Sequence, residues 1–250
     1  MRISRLEIVA AVALAAGLAH AMTADELVAK HVEARGGMEK LRAIRSLRVE
    51  GTRARSGGGF ETTFLELKKR PGAMRTETTM QGLTMIRAYD GKDGWTIQPF
   101  RGRREPERLS ADALKEMAYD ADLDGPLVDA AAKGNRVDAL GTEDVDGTEA
   151  LKLRVSRPTG DVDYVYLDPD YFLEIRRVSQ RKVRGAEVET QTDFGEYERV
   201  GGVYFPFSIE SRPRDQPERG QRIRITKAEA NVALDDAIFG FPAGAPAAGR

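Results

Sequence analysis

Between Phe60 and Phe100 the sequence reads FETTFLELKKRPGAMRTETTMQGLTMIRAYDGKDGWTIQPF, short alternating runs cut by turn residues. The breaks fall at Lys69-Arg70-Pro71, at Gln81-Gly82 and at Asp90-Gly91-Lys92-Asp93-Gly94. Proline presets φ and glycine supplies positive φ, so each break is a turn with a physical cause. In Phe64-Leu65-Glu66-Leu67-Lys68, Leu65 and Leu67 share one face, opposite Phe64, Glu66 and Lys68. That period of two makes the stretch a wall of antiparallel strands. Leu65, Leu67, Met80, Met85, Trp95 and Ile97 are its apolar candidates for lining a binding cavity. Methionine suits such a wall because its flexible, polarisable side chain adapts to ligands of variable shape. A packed core would use the same residues. Arg70 is the arginine placed at this proline turn.

The rest of the chain finishes this wall. Thr23-Ala24-Asp25-Glu26 is a capping box that opens a helix, and Gly36-Gly37 closes it. A short helix from Met38 to Ile44 leads into a first strand, Ser46 to Arg53. His31 reads as a residue on the surface of the first helix. After Phe100, Arg101 to Glu107 is a charged connection. Ser110 caps a helix carrying Leu114 and Met117, two further cavity candidates, and a helical turn is expected over Leu127 to Ala132. From Arg136 onward the chain meanders again. Leu151, Leu153 and Val155 alternate with Lys152 and Arg154, and turns fall at Asp146-Gly147, Thr159-Gly160, Arg184-Gly185 and Gly201-Gly202. No strand–helix–strand alternation occurs, so a parallel sheet is not expected. The prediction is a mainly antiparallel sheet of about eleven strands, which must curl at that width, with helices covering its concave face.

Composition narrows the function. The chain of 250 residues has no cysteine, two histidines and a net charge of −1. Disulfides, Cys-ligated zinc and an acylated N-terminal cysteine are therefore out, and a balanced charge gives no footprint for nucleic acid. Arg2 and Arg5, the apolar run Ile8 to Leu18, and Ala19-His20-Ala21 form a secretory leader with cleavage expected after Ala21. This points to a periplasmic protein with one domain over residues 22–242 and a disordered tail over 243–250. Asp120-Ala121-Asp122-Leu123-Asp124-Gly125 matches the first half of a calcium loop. However, position twelve, where a bidentate glutamate belongs, is Ala131, so helix-end acidic residues are the favoured reading. No G-x-S-x-G occurs, and beyond the leader His31 is the one histidine available as a base. Catalysis, a metal and a cofactor are not expected.

The motifs resemble those of the LolA-like periplasmic lipoprotein carriers. Leu67-Lys68-Lys69-Arg70-Pro71, Met74-Arg75, Asp90-Gly91-Lys92 with Trp95 and Pro99, and the ending Ala237-Ile238-Phe239-Gly240-Phe241-Pro242 carry the resemblance. The second half, with Gly201-Gly202-Val203-Tyr204-Phe205-Pro206, resembles the broader lipoprotein-sorting and lipid-binding members. The resemblance implies an incomplete, half-open β-barrel with a helical lid over an apolar cavity. It also implies that Arg70 bonds to the lid and holds it shut. The function implied is non-enzymatic carriage of the acyl chains of a lipid or lipoprotein toward the outer membrane. A membrane export complex or an outer-membrane acceptor would be the partner, and the protein would act as a monomer. The alternative is a sensing or interaction domain that regulates a membrane partner.

Overall fold

The computed structural model describes residues 22–56, 58–59, 61–183 and 185–242. The expected leader and C-terminal tail lie outside them. All strands join one antiparallel sheet. A first meander runs β1 (Ser46–Arg55), β2 (Thr62–Lys69), β3 (Ala73–Met80), β4 (Leu83–Tyr89), β5 (Gly94–Gln98) and β6 (Arg103–Arg108). A second runs β7 (Arg136–Val145), β8 (Thr148–Ser156), β9 (Val162–Leu167), β10 (Glu174–Val183), β11 (Ala186–Val200), β12 (Val203–Pro213) and β13 (Gln221–Ala230). The meanders join where β1 pairs with β13, from Leu47 opposite Ala230 to Arg55 opposite Gln221. β6 and β7 are the two edges, so the sheet is open.

Among the described residues thirteen strands form where about eleven were expected. One addition is β6, which occupies the stretch read as a charged connection. An edge strand tolerates charge and proline, as in Arg104-Glu105-Pro106-Glu107, so it carries no apolar alternation to read. The helical turn expected over Leu127 to Ala132 is a run of turns. At the meander junction the register shifts between Glu50 and Gly51. A Cβ on Gly51 would lie 2.1 Å from the Arg224 carbonyl oxygen, so glycine is required where the two halves meet.

The register fixes two faces. Thr78 opposes Phe64, Phe64 opposes Gly51, and Gly51 opposes Ile225. Two residues along β13, Ile223 opposes Ile209, and farther out Arg177 opposes Val165 and Val165 opposes Leu153. These residues lie on the inner face, which the helices cover. α1 (Ala24–Arg35) has the expected capping box, with Thr23 and Glu26 each bonded to the other's backbone N–H. Its Leu27 packs with Leu127, Leu153, Val155, Val165 and Leu167. α2 (Met38–Ala43) places Leu41 beside Ile44, Val128 and Val203. α3 (Ala111–Asp120) packs Met117 and the following Ala121 against Met74 on β3.

His31 is not a surface residue: it is 4% exposed. The helix turns it toward the sheet, where Nδ1–H donates to the Phe172 carbonyl at 2.8 Å. On the outer face the C-terminal segment crosses back over the first meander. Phe239, 1% exposed, packs on Leu67 and Ala73. The Trp95 indole N–H donates to the Phe239 carbonyl at 3.1 Å, and Arg75 donates to that of Ile238 at 3.0 Å.

Candidate functional site

An apolar cavity of about 160 Å³ lies on the inner face where the two meanders meet. Leu47 and Val49 of β1, Phe64 of β2, Phe205, Phe207 and Ile209 of β12, and Ile223 and Ile225 of β13 supply its apolar wall. Leu123, from the segment after α3, closes it from the side opposite the sheet. An apolar cavity of about 150 Å³ is large enough for a benzene-sized group. In this closed arrangement the space fits a short piece of one hydrocarbon chain.

One edge of the lining is charged. Arg53, Glu66 and Lys68 reach the cavity from the inner face of β1 and β2. Burial alone would lower the Lys68 ammonium, but Glu66, paired at 3.0 Å, and Asp120 raise it above its ordinary value. Asp120 ends α3, and desolvation, then Glu116 and Glu66, pushes its carboxyl up to about 6 against the pull of Lys68. Arg53 stacks on the Phe64 ring at 5.4 Å. Its Nε is buried and has no hydrogen-bond partner among the described residues.

The lid is held by polar bonds. Arg70, at the end of β2, donates to both carboxylate oxygens of Asp124 at 2.6 Å. It also donates to the carbonyls of Ile44 at 2.7 Å and Leu41 at 3.0 Å. The planar fork of arginine allows all four bonds at once, and the bonds to Asp124 hold the guanidinium charged. Arg35 of α1 donates to the backbone carbonyl of the same Asp124, which is 6% exposed. Lys133 holds the Asp122 carboxylate at 2.6 Å and the Gly125 carbonyl at 2.8 Å. The acidic stretch Asp120 to Gly125 is thus a strap pinned by Arg70, Arg35 and Lys133, and Leu123 is the side chain it presses onto the cavity. α3 itself is tied to both meanders, by Glu116 to Arg87 at 3.1 Å and by Lys115 to Asp161 at 2.7 Å.

The nine candidate residues divide between these places. Arg70 holds the strap. Met80 and Met85 lie on the inner face of β3 and β4, in line with Thr78 and Phe64. Leu114 and Met117 face inward from α3, Leu114 over Gly94 and Met117 against Met74. Leu65, Leu67, Trp95 and Ile97 are on the outer face, Leu65, Leu67 and Trp95 beneath the C-terminal segment. None of the nine borders the cavity itself. Sequence reasoning did not single out Arg53, Phe205 or Phe207. A signal for Arg53 exists: it ends the alternation Leu47, Val49, Gly51 on the buried side of β1, where a cation is out of place.

No protein-family model matches the chain, and no curated protein matches it. Solved structures do. A LolA superfamily protein from Nitrosomonas europaea aligns over 88% of this chain and 98% of its own, at a TM-score of 0.59 and 15% identity. The fold is LolA-like. Two further solved structures share the fold. A DUF1329 family protein from Desulfovibrio piger covers 87% of this chain and 97% of its own, with a TM-score of 0.60 and 14% identity. An outer membrane lipoprotein-sorting protein domain from Vibrio parahaemolyticus covers 86% and 94%, with a TM-score of 0.55 and 12% identity. The open antiparallel sheet with its helical lid is the LolA-like half-barrel. Among the described residues, no helix is long and apolar enough to cross a membrane.

Proposed function

We propose that this protein is a periplasmic carrier that holds an acyl chain of a lipid or lipoprotein in the cavity beneath Leu123. The observation that carries the reading is an apolar cavity on the inner face, closed by a side chain whose segment is fastened by polar bonds. Such a closure can open without dismantling the sheet. Removing both partners' bonds in a largely buried ion pair costs a few kcal/mol. Each methylene taken out of water returns about 0.8 kcal/mol, so about four or five buried methylenes offset the release of the strap. Arg70 is then the latch. As the strap lifts, the inward-facing Met80, Met85, Leu114 and Met117 would extend the wall available to a longer chain. Their softness suits cargo of variable shape.

The reading is non-enzymatic and needs no cofactor. The lipoprotein-sorting description of the Vibrio parahaemolyticus neighbour supports a lipoprotein cargo, and a membrane export complex or an outer-membrane acceptor would be the partner. Native mass spectrometry of the mature protein purified from a Gram-negative host tests the proposal. Co-purified acyl lipid is expected. A clean apo mass together with no binding of fluorescent fatty-acid probes would sink it.

A further inference from the structure

The cavity is apolar except along one edge, and there Arg53 stands apart. Lys68 is paired with Glu66 at 3.0 Å, Arg87 with Glu116 at 3.1 Å, and Lys133 with Asp122 at 2.6 Å. Arg53 has no ion-pair partner among the described residues. It lies 5.4 Å over the Phe64 ring, itself part of the cavity wall. Its Nε–H is buried with nothing to donate to among the described residues. Buried donors are almost always satisfied, and a guanidinium stays charged, so an orphan here marks an acceptor still to arrive. Burial works against the charge of Arg53, while Glu66 and Asp120 favour it from a distance. Glu66 is already taken by Lys68, and Asp120 ends the lid helix.

We propose that Arg53 is a head-group site: it receives the carboxylate or phosphate of a single-chain amphiphile whose hydrocarbon lies between Phe64, Phe205, Phe207 and Ile223. The inference rests on the acyl-chain reading above and adds that the ligand is anionic and has one chain. In the closed arrangement the cavity of about 160 Å³ holds a short piece of one hydrocarbon chain, which is why a single-chain ligand is the one proposed. A planar guanidinium suits the anionic group, because it meets a carboxylate or phosphate through paired N–H donors.

Titration calorimetry at neutral pH with decanoic acid, decyl phosphate and decanol decides the matter. The acid and the phosphate are expected to bind at least about tenfold more tightly than the alcohol, the range of a charge-assisted hydrogen bond. Arg53→Met keeps the length and apolar bulk of the side chain and is expected to bring the three ligands within about twofold of one another. The ratio of acid to phosphate identifies the source, a free fatty acid or a phospholipid-type head. Equal binding of acid and alcohol to the unaltered protein overturns the head-group site while leaving the acyl cavity standing. A preference that survives Arg53→Met but disappears in Lys68→Met assigns the head group to Lys68 and overturns the role of Arg53. No binding of any of the three removes the acyl-chain reading itself, and this inference with it.

Discussion

At the residue scale, two side chains carry most of the consequences. Arg70 makes four hydrogen bonds to the lid side and, among the described residues, is the sole partner of the Asp124 carboxylate in an ion pair. Arg70→Leu leaves that carboxylate buried and unpaired, and a loss of roughly 2–4 kcal/mol in urea unfolding is expected. Adding Asp124→Leu removes the stranded charge and is expected to recover part of the loss. His31 gives a pH signature. Burial, then Arg35, lowers its pKa to about 4, because a second charge cannot be accommodated there. Its folded pKa lies below the unfolded value, so the unfolded chain binds the extra proton. The stability it protects is full above about pH 6.5 and is lost as pH falls toward 4, up to about 3 kcal/mol. His31→Asn keeps a donor for Phe172 and is expected to flatten this arm of the profile, as read by unfolding at neutral pH and at about pH 4.5. The sequence placed His31 on the helix exterior because α1 is polar on most sides. A histidine that donates to a carbonyl 141 residues away leaves no local mark.

At the element scale, the strap and the C-terminal segment do opposite jobs. The strap closes the inner cavity, so Leu123→Ala is expected to speed exchange of a fluorescent fatty-acid probe. It should cost about 2 kcal/mol of stability, the low end for a leucine at a partly open site. The C-terminal segment seals the outer face, where Phe239 is fully packed. Phe239→Ala is expected to cost about 3–5 kcal/mol while leaving probe exchange unchanged in whatever remains folded. The turns, the capping box and the alternating strands were readable because each is a local pattern. The pairing of Asp124 with Arg70 was not, since it joins positions 54 residues apart through the fold.

At the scale of the whole molecule, the first meander has two covered faces, and that limits what alternation can say. In β2 the sequence shows Leu65 and Leu67 on one side and Phe64, Glu66 and Lys68 on the other. The leucines look like the wall of a cavity, yet they meet Phe239, which arrives from the other end of the chain. The more charged side faces inward, where Lys68 and Glu66 satisfy each other and Phe64 meets the second meander. Period two separates the faces but does not label them. Labelling requires the β1–β13 junction and the path of the C-terminus, both long-range. The open LolA-like sheet and its lid were legible, because they follow from strand count, turn spacing and the motifs around Arg70.

In the proposed carrier an acyl chain enters between the inner face and the strap. Photo-crosslinking with a fatty acid carrying a diazirine in its chain, followed by peptide mapping, tests it most directly. Labelling at Phe64, Leu123, Phe205 and Phe207, weakened by competition with unlabelled fatty acid, is the expected result. Labelling concentrated on the outer face around Leu65, Trp95 and Phe239, or labelling that no competitor reduces, would contradict it.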